Sequence, residues 1–488
     1  MVQNINQYID RRYCLWIDGC EVEAAENEWF DIINPSDGEK LTQAARGTRA
    51  DVDRAVSSAK KGLQRWKQVA NTNKRKILCR MADALRDNVE KFAVIETLNS
   101  GKPLGESKTD MLKCAEAVEF YSGVTDKIFG KTIPISERYF DYTLLEPIGV
   151  TAHIAPWNFP LRLALRSIVP ALAVGNSVVL KPAEETPLTA IHFARLATDA
   201  GLPDGVLNVV TGFGKEAGAD LASHPEIAHI SFTGSLETGI RVMQLAARNV
   251  VPLTLELGGK SPNIVFADAD LDLALDGSFN AIFANAGQVC CAGSRLLLED
   301  KIYEQFVEKL LAKAKGIRLG PGIEDPDMGP LISEQQRKRV LDYVELGVSE
   351  GAEKLLGGGI PDHNTCQRGF FVQPTLLGNV SNRTKVAQEE IFGPVLTIIR
   401  FRGEEEAVRI ANESQYGLVA GIWTSNLDRA HKMASQIQAG QIYINDFFSG
   451  SVASPFGGYK KSGFGRERGM EALRHYTQIK NVCVKLGE

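Results

Sequence analysis

Three places in this sequence combine residue type and surroundings suited to nucleophilic catalysis. Cys290 and Cys291 lie in Gly287-Gln288-Val289-Cys290-Cys291-Ala292-Gly293, a glycine-rich turn after an apolar helical stretch. A thiol at such a turn can sit near backbone N–H groups that favour the thiolate, which is the nucleophilic form. The competing reading is a cysteine buried as a small hydrophobe, and composition does not choose between the two thiols. Glu256 is the one carboxylate in the apolar run Leu253-Thr254-Leu255-Glu256-Leu257, ahead of Gly258, Gly259 and Lys260. It reads either as a surface residue of an edge strand or as a desolvated base with a raised pKa. Asn158 stands in Ala155-Pro156-Trp157-Asn158-Phe159-Pro160, between two prolines and two aromatics. Its side-chain amide can donate to a developing oxyanion, or it can simply shape a turn.

Positioning such groups takes more than one folded unit. The chain has 488 residues, and single cores stop growing at roughly 250–300 residues. Residues 1–45 read as short strands and turns. From Arg49 to about Ser122 the pattern is helical, with Ala55, Ala59, Leu63 and Trp66 at helical spacing. Strand candidates then follow at Val150 to Ile154, Ser177 to Lys181, Leu207 to Thr211, Ile227 to Phe232 and Leu253 to Leu257. Helical segments fall between them near 161–173, 187–200, 214–223 and 236–248. Such alternation implies a parallel sheet covered on both faces. A second alternating half runs from about 263 to 460, with helices near 271–285, 301–315, 333–351 and 404–413. Residues 125–150 have strand character and no clear home in either half. The expected class is therefore α/β, with two α/β domains, a cleft between them and a small β excursion.

The formal net charge is −5, so the surface does not concentrate on polyanions and no nucleic-acid partner is expected. No signal peptide is visible in the first twenty residues. The most apolar stretch, Ile168 to Leu180, is too short to span a bilayer and is broken by Asn176, so no membrane partner is expected either. The eight cysteines show no zinc or disulfide spacing. They read as reduced thiols of a cytoplasmic protein, with no metal site.

The three sites belong to a larger set of motifs. These are Pro156-Trp157-Asn158-Phe159-Pro160, Leu180-Lys181-Pro182-Ala183-Glu184, Phe232-Thr233-Gly234-Ser235, Leu255-Glu256-Leu257-Gly258-Gly259-Lys260, Gly287-Gln288-Val289-Cys290, Glu389-Glu390-Ile391-Phe392-Gly393-Pro394 and Pro455-Phe456-Gly457-Gly458-Tyr459-Lys460. In this order, and over nearly the whole chain, they resemble the aldehyde dehydrogenase superfamily. The resemblance selects Cys290 as nucleophile, Asn158 as oxyanion donor and Glu256 as the base that hydrolyses a thioester. Glu256 also sets the chain apart from the coenzyme A-acylating branch, which generally lacks this base. The implied fold has a Rossmann-like NAD-binding domain at 1–124 and 148–258, a thiol-bearing domain at 259–460, and oligomerisation segments at 125–147 and 461–488. The strand Ile479 to Leu486 and the excursion at 125–147 would pair across subunits of a homodimer or homotetramer.

The cofactor expectation follows the same lines. The usual Gly-x-Gly-x-x-Gly fingerprint is absent, since Gly212-Phe213-Gly214-Lys215-Glu216-Ala217-Gly218 has one residue too many. Gly234 and Ser235 are better placed, after a strand and at a helix start, where a pyrophosphate binds. The resemblance puts Lys181 and Glu184 on the adenosine ribose, Glu390 and Phe392 at the nicotinamide ribose, and Trp157, Gly214 and Leu257 along the cofactor. A carboxylate at 184 repels a 2′-phosphate, which favours NAD over NADP.

The substrate side departs from the general aldehyde oxidisers. Arg162 and Arg166 are four apart and share a helix face. Arg166 stands where succinic semialdehyde dehydrogenases carry an arginine, and Lys113 falls near another tunnel position. With Phe159 and Phe456 as aromatic lining, these cations suggest an anionic semialdehyde and disfavour a trimethylammonium substrate. Against this, some benzaldehyde-type members share the arginine, and the second carboxylate-binding arginine would fall at Ala284. An aromatic or general aliphatic aldehyde is the alternative, supported by Phe447 and Phe448. Two other classes fit the same fold: a non-catalytic relative, and a thiol-dependent esterase that needs no NAD.

Overall fold

The computed structural model describes residues 5–487. Its first sheet has eight strands. Val150–Ile154 pairs in parallel with Ser177–Lys181 on one side and His229–Thr233 on the other. Leu207–Val209 extends the first wing and Leu253–Glu256 the second, both parallel. The chain thus builds outward in two directions from Val150–Ile154. In such sheets the crevice beyond the carboxyl ends, where the order reverses, is the natural ligand site. Asn158 follows one of these two strand ends and Ser235 the other.

The hairpin Leu15–Ile17 and Cys20–Val22 closes one edge of this sheet. Gly463–Phe464 closes the other by pairing antiparallel with Leu253–Glu256. The segment 461–488 is therefore not purely an oligomerisation segment, because its first residues complete this sheet. That pairing also removes the edge reading of Glu256. Helices Arg49–Gln68, Asn71–Asp87, Val89–Ser100 and Leu104–Ser122 occupy the expected helical stretch. Asp51 accepts the Thr48 N–H at 2.8 Å and satisfies one free donor at the first of these helix starts.

The second sheet has seven strands in the order Glu353–Leu356, Thr375–Gly378, Val395–Phe401, Arg295–Glu299, Pro262–Val265, Val419–Trp423, Gln441–Ile444. All pairings are parallel except that of the Glu353–Leu356 edge. Its five inner strands are almost wholly buried, as a sheet covered on both faces requires. The stretch 214–223 is helical as expected, with one wide turn, Gly214–Gly218, ahead of the short helix Ala219–Ala222, since two glycines weaken a regular helix. Helix Leu427–Gln436 lacks a strong apolar run and was not anticipated.

A third, three-stranded sheet stands apart. Thr477–Lys485 pairs antiparallel along its whole length with Tyr139–Pro147, which also pairs with Thr132–Ile133. These segments meet within one chain, where pairing across subunits was expected. They leave Ile133, Phe140, Leu144, Ile479 and Val484 exposed.

Candidate active site

Helix Leu271–Phe283, capped by Asp270 on the Leu273 N–H at 3.0 Å, leads into the thiol turn. Asn285, Ala286 and Gly287 then adopt φ of 46°, 52° and 72°. For the two non-glycine residues this left-handed conformation costs on the order of 1–3 kcal/mol each and must be held by its surroundings. The holding contacts are present. The Gln288 side chain accepts the Ile332 N–H at 2.9 Å and donates to the Asn285 carbonyl at 3.2 Å. The Asn285 amide donates to the Asn158 carbonyl at 2.9 Å. A Cβ on Gly287 would come 2.1 Å from the Gly393 carbonyl, so only glycine fits there.

The Asn158 Nδ2 donates to the Gln288 carbonyl at 2.8 Å. An amide nitrogen has two hydrogens, so one remains for an oxyanion beside Cys290. Cys290 and Cys291 are both half-buried. Hydrogen bonding with the Cys291 thiol, and then burial, push the Cys290 thiol up, while Arg166 pulls it the other way. The same bond draws Cys291 down. The two thiols therefore titrate as a pair.

Glu256 is 2% exposed, and neither of its carboxylate oxygens has a hydrogen-bond partner among the described residues. Burial pushes its pKa well above the ordinary range; Glu467 adds to this and Arg166 opposes it. A desolvated carboxyl without a partner is a group held in readiness for a proton.

A cleft of about 1050 Å³ runs from this point to the ends of the first sheet, with Trp157, Asn158, Ser235, Glu256, Cys290 and Glu390 on its walls. Its outer part suits a dinucleotide. Ser235 caps helix Leu236–Ala247 by accepting the Thr238 N–H at 3.2 Å, and Gly234, Ser235, Leu236 and Glu237 of that turn line the cleft, where a helix start favours an anion. A Cβ on Gly239 would come 2.6 Å from Leu257, so the helix packs closely on that side chain. Lys181 pairs with Glu184 at 2.7 Å, beside the Gly214 amide. Burial raises the Glu184 carboxyl, but Lys181 more than offsets it and the net shift is downward. The Gly259 N–H donates to Glu390 at 3.2 Å, and a Cβ on Gly258 would come 2.1 Å from the same carboxylate. Burial raises Glu390 to about 7. Phe392, at φ 64°, meets Trp157 edge-on at 5.2 Å. Of the residues expected to hold the cofactor, Trp157, Gly234, Ser235, Glu390 and Phe392 line this cleft, Leu257 packs on the helix that opens at Ser235, and Lys181, Glu184 and Gly214 form a separate group with one another.

The cations expected at the substrate end fare differently. Arg166 is buried in an ion pair with Glu467 and lies 5.1 Å above the Phe456 ring. A guanidinium already neutralised in this way is a poor receptor for a substrate anion, so the receptor role expected of Arg166 is not supported. Lys113 is half-exposed and paired at 2.9 Å with Glu116 on its own helix. None of its contacts is with the site. Arg162 pairs with Asp110 at 3.0 Å and lies 5.5 Å over the Phe159 ring. Asp110 also holds the buried Lys102.

Several residues of the site were not anticipated: Glu467, which pairs with Arg166; Gln288 and Asn285, which hold the thiol turn; and Lys260. The Lys260 Nζ is buried without a partner, and burial pulls it down to about 7. The Gly-Gln motif was a signal for Gln288. Nothing local marks Glu467, because its partner lies in a remote helix.

Among the described residues no group of His, Cys, Asp or Glu could hold a metal ion, and no helix is long and apolar enough to cross a membrane. The model of the Aldehyde dehydrogenase family matches residues 22–482. The chain is 45% identical to the mitochondrial aldehyde dehydrogenase of Homo sapiens, over 95% of this chain and 90% of that protein. It is 43% identical to the betaine aldehyde dehydrogenase of Bacillus subtilis (strain 168), over 96% of each. The NAD+ complex structure of aldehyde dehydrogenase from Bacillus cereus superposes with a TM-score of 0.97 at 40% identity, covering 100% of this chain and 99% of that one. A match of this extent means that the chain is an enzyme and belongs to the aldehyde dehydrogenase family.

Proposed function

We propose that the enzyme oxidises an aldehyde to a carboxylic acid through a thioester on Cys290, with NAD as the cofactor. The supporting observation is that Cys290, Asn158 and Glu256 share one end of a cleft whose other end suits a dinucleotide. In this reading the Cys290 thiolate adds to the aldehyde carbonyl carbon. The free Asn158 N–H and the Cys290 backbone N–H hold the resulting oxyanion. Bound NAD supplies the acceptor for the hydride that leaves this carbon. Collapse of the oxyanion leaves the acyl group on the Cys290 sulfur. Glu256 takes a proton from water, the hydroxide attacks the thioester, and the carboxylate departs as Cys290 is restored. Glu184 disfavours NADP. Residues 1–124 and 148–258 serve the cofactor, residues 259–460 carry the thiol, and the apolar three-stranded sheet serves a homodimer or homotetramer.

Glu256→Gln tests this reading. The variant should make NADH once per active site and then stall, with steady turnover lower by about 10²–10⁴-fold. Mass spectrometry should find the acyl group on Cys290. Undiminished turnover, or acid formed from aldehyde without NAD, would overturn the scheme.

A further inference from the structure

The segment after Gly463–Phe464 holds a guanidinium that the scheme above does not use. Glu467 and Phe456 exchange two backbone hydrogen bonds, both 2.7 Å. The Gly469 N–H donates to the Val452 carbonyl at 2.8 Å, and the Tyr121 hydroxyl donates to the Gly469 carbonyl at 3.0 Å. Both neighbours of Arg468 are thus pinned, and Arg468 is left between them at φ 60°. That is a strained conformation for a long L side chain, and strain of this kind collects at ligand sites.

The Arg468 side chain lies 5.0 Å over the Phe456 ring, the same ring that Arg166 covers at 5.1 Å. Its electrostatic neighbours are Arg166, Arg162, Cys291 and Tyr443. It therefore stands on the side of the thiol pair toward Phe456 and Arg162. Each of the three cations expected at the substrate end has an acid: Arg166 has Glu467, Arg162 has Asp110, Lys113 has Glu116. Among the described residues the Arg468 guanidinium has neither an ion-pair nor a hydrogen-bond partner; only its backbone carbonyl is engaged, by the Ala472 N–H at 3.4 Å. Burial, then Arg166 and Arg162, pull it down to about 10, so it is still a cation at neutral pH. A charge that is partly buried, crowded by two like charges and lacking an anion is a costly arrangement. An anion bound beside it removes that cost and gains a planar, two-donor contact.

We propose that Arg468 is the receptor for a carboxylate on the substrate, so that the enzyme takes aldehydes carrying a terminal carboxylate. The proposal rests on the thioester reading and adds the substrate class to it. Phe456 and Phe159 are the apolar walls of the passage, and Arg468 places the carboxylate so that the aldehyde end reaches Cys290. Arg166 acts in this only as the neutralised partner of Glu467.

The test compares kcat/KM for a short straight-chain aldehyde bearing a terminal carboxylate with that for a neutral aldehyde of equal length. Wild type, Arg468→Leu and Arg468→Lys are measured, together with inhibition by the corresponding dicarboxylate. The wild type should favour the carboxylate by about tenfold or more. Arg468→Leu should lose that margin through KM, keep its rate on the neutral aldehyde and lose inhibition by the dicarboxylate. Arg468→Lys should recover part of the preference, since it keeps the charge without the two-donor plane. A wild type with no preference for the carboxylate, or an Arg468→Leu that loses both substrates equally, would overturn the receptor role and leave the thioester reading standing. No NADH from either aldehyde in the wild type would overturn the thioester reading itself.

Discussion

The Arg166 guanidinium and the Glu467 carboxylate form a buried ion pair, with side chains 5% and 2% exposed. The pair reaches Glu256 from both sides of the charge scale: Glu467 raises its pKa and Arg166 lowers it. The Ser231 hydroxyl donates to Glu467 at 3.1 Å, and the paired backbones of Phe456 and Glu467 fix its position. The base proposed for thioester hydrolysis is thus tuned by an ion pair that touches neither thiol.

Glu467→Gln should therefore do two things. It leaves a buried guanidinium without its anion, which should cost about 3–5 kcal/mol in chemical denaturation. It also removes the charge that raises Glu256 while leaving the one that lowers it. A base works only above its pKa, so the acidic limb of the kcat profile should move to lower pH in this variant. The wild type shows the complementary linkage. Folded Glu256 holds its proton more tightly than the unfolded chain does, so its stabilising contribution is complete below about pH 4.3 and is lost as pH rises through the raised folded value. Glu256→Gln should then flatten the decline of Tm on the alkaline side. An unmoved acidic limb in Glu467→Gln would remove the pair from any role in tuning the base.

The adjacent thiols make a separate prediction. Cys291 raises Cys290 by hydrogen bonding, more than burial does. Cys291→Ala should lower the Cys290 pKa, so alkylation by iodoacetamide should reach its plateau at lower pH, with turnover retained. Cys290→Ala should abolish turnover. If Cys291→Ala raised the alkylation midpoint, Cys291 would not be what holds the Cys290 thiol up.

Cofactor choice turns on the Lys181–Glu184 pair. Replacing Glu184 with Ser removes the carboxylate that would face a 2′-phosphate while Lys181 keeps its charge. The ratio of kcat/KM for NADP to that for NAD should rise by about tenfold or more, roughly 1.4 kcal/mol. A ratio unchanged in both directions would mean that the pair serves the turn at Gly214 rather than the ribose.

Much of this could be read from residue order alone. Alternation of period two and period 3.6 placed the strands from Val150 to Glu256 to within a residue or two, because burial on both sheet faces writes continuous apolar runs into the chain. The thiol, the amide and the base stood out because each is a polar residue in a setting of glycine, proline or apolar neighbours. The assignment of charges did not stand out. Arg162, Arg166 and Lys113 look equivalent in sequence, yet one is bound to Asp110, one to Glu467 and one to Glu116. Arg468, which has no such acid, passed unnoticed. An ion pair is chosen by which side chains the packed core brings within a few ångströms. For Arg166 and Glu467 that depends on the strand Gly463–Phe464 closing the sheet beside Glu256, a contact between distant segments that leaves no period in the sequence. The left-handed backbone at Arg468 has the same origin: hydrogen bonds from Phe456, Val452 and Tyr121 hold its neighbours, and none of these is local. The sequence by itself singled out the groups proposed to react and the sheets that carry them; tertiary structure decided which charges pair with one another and left the Arg468 guanidinium without an acid.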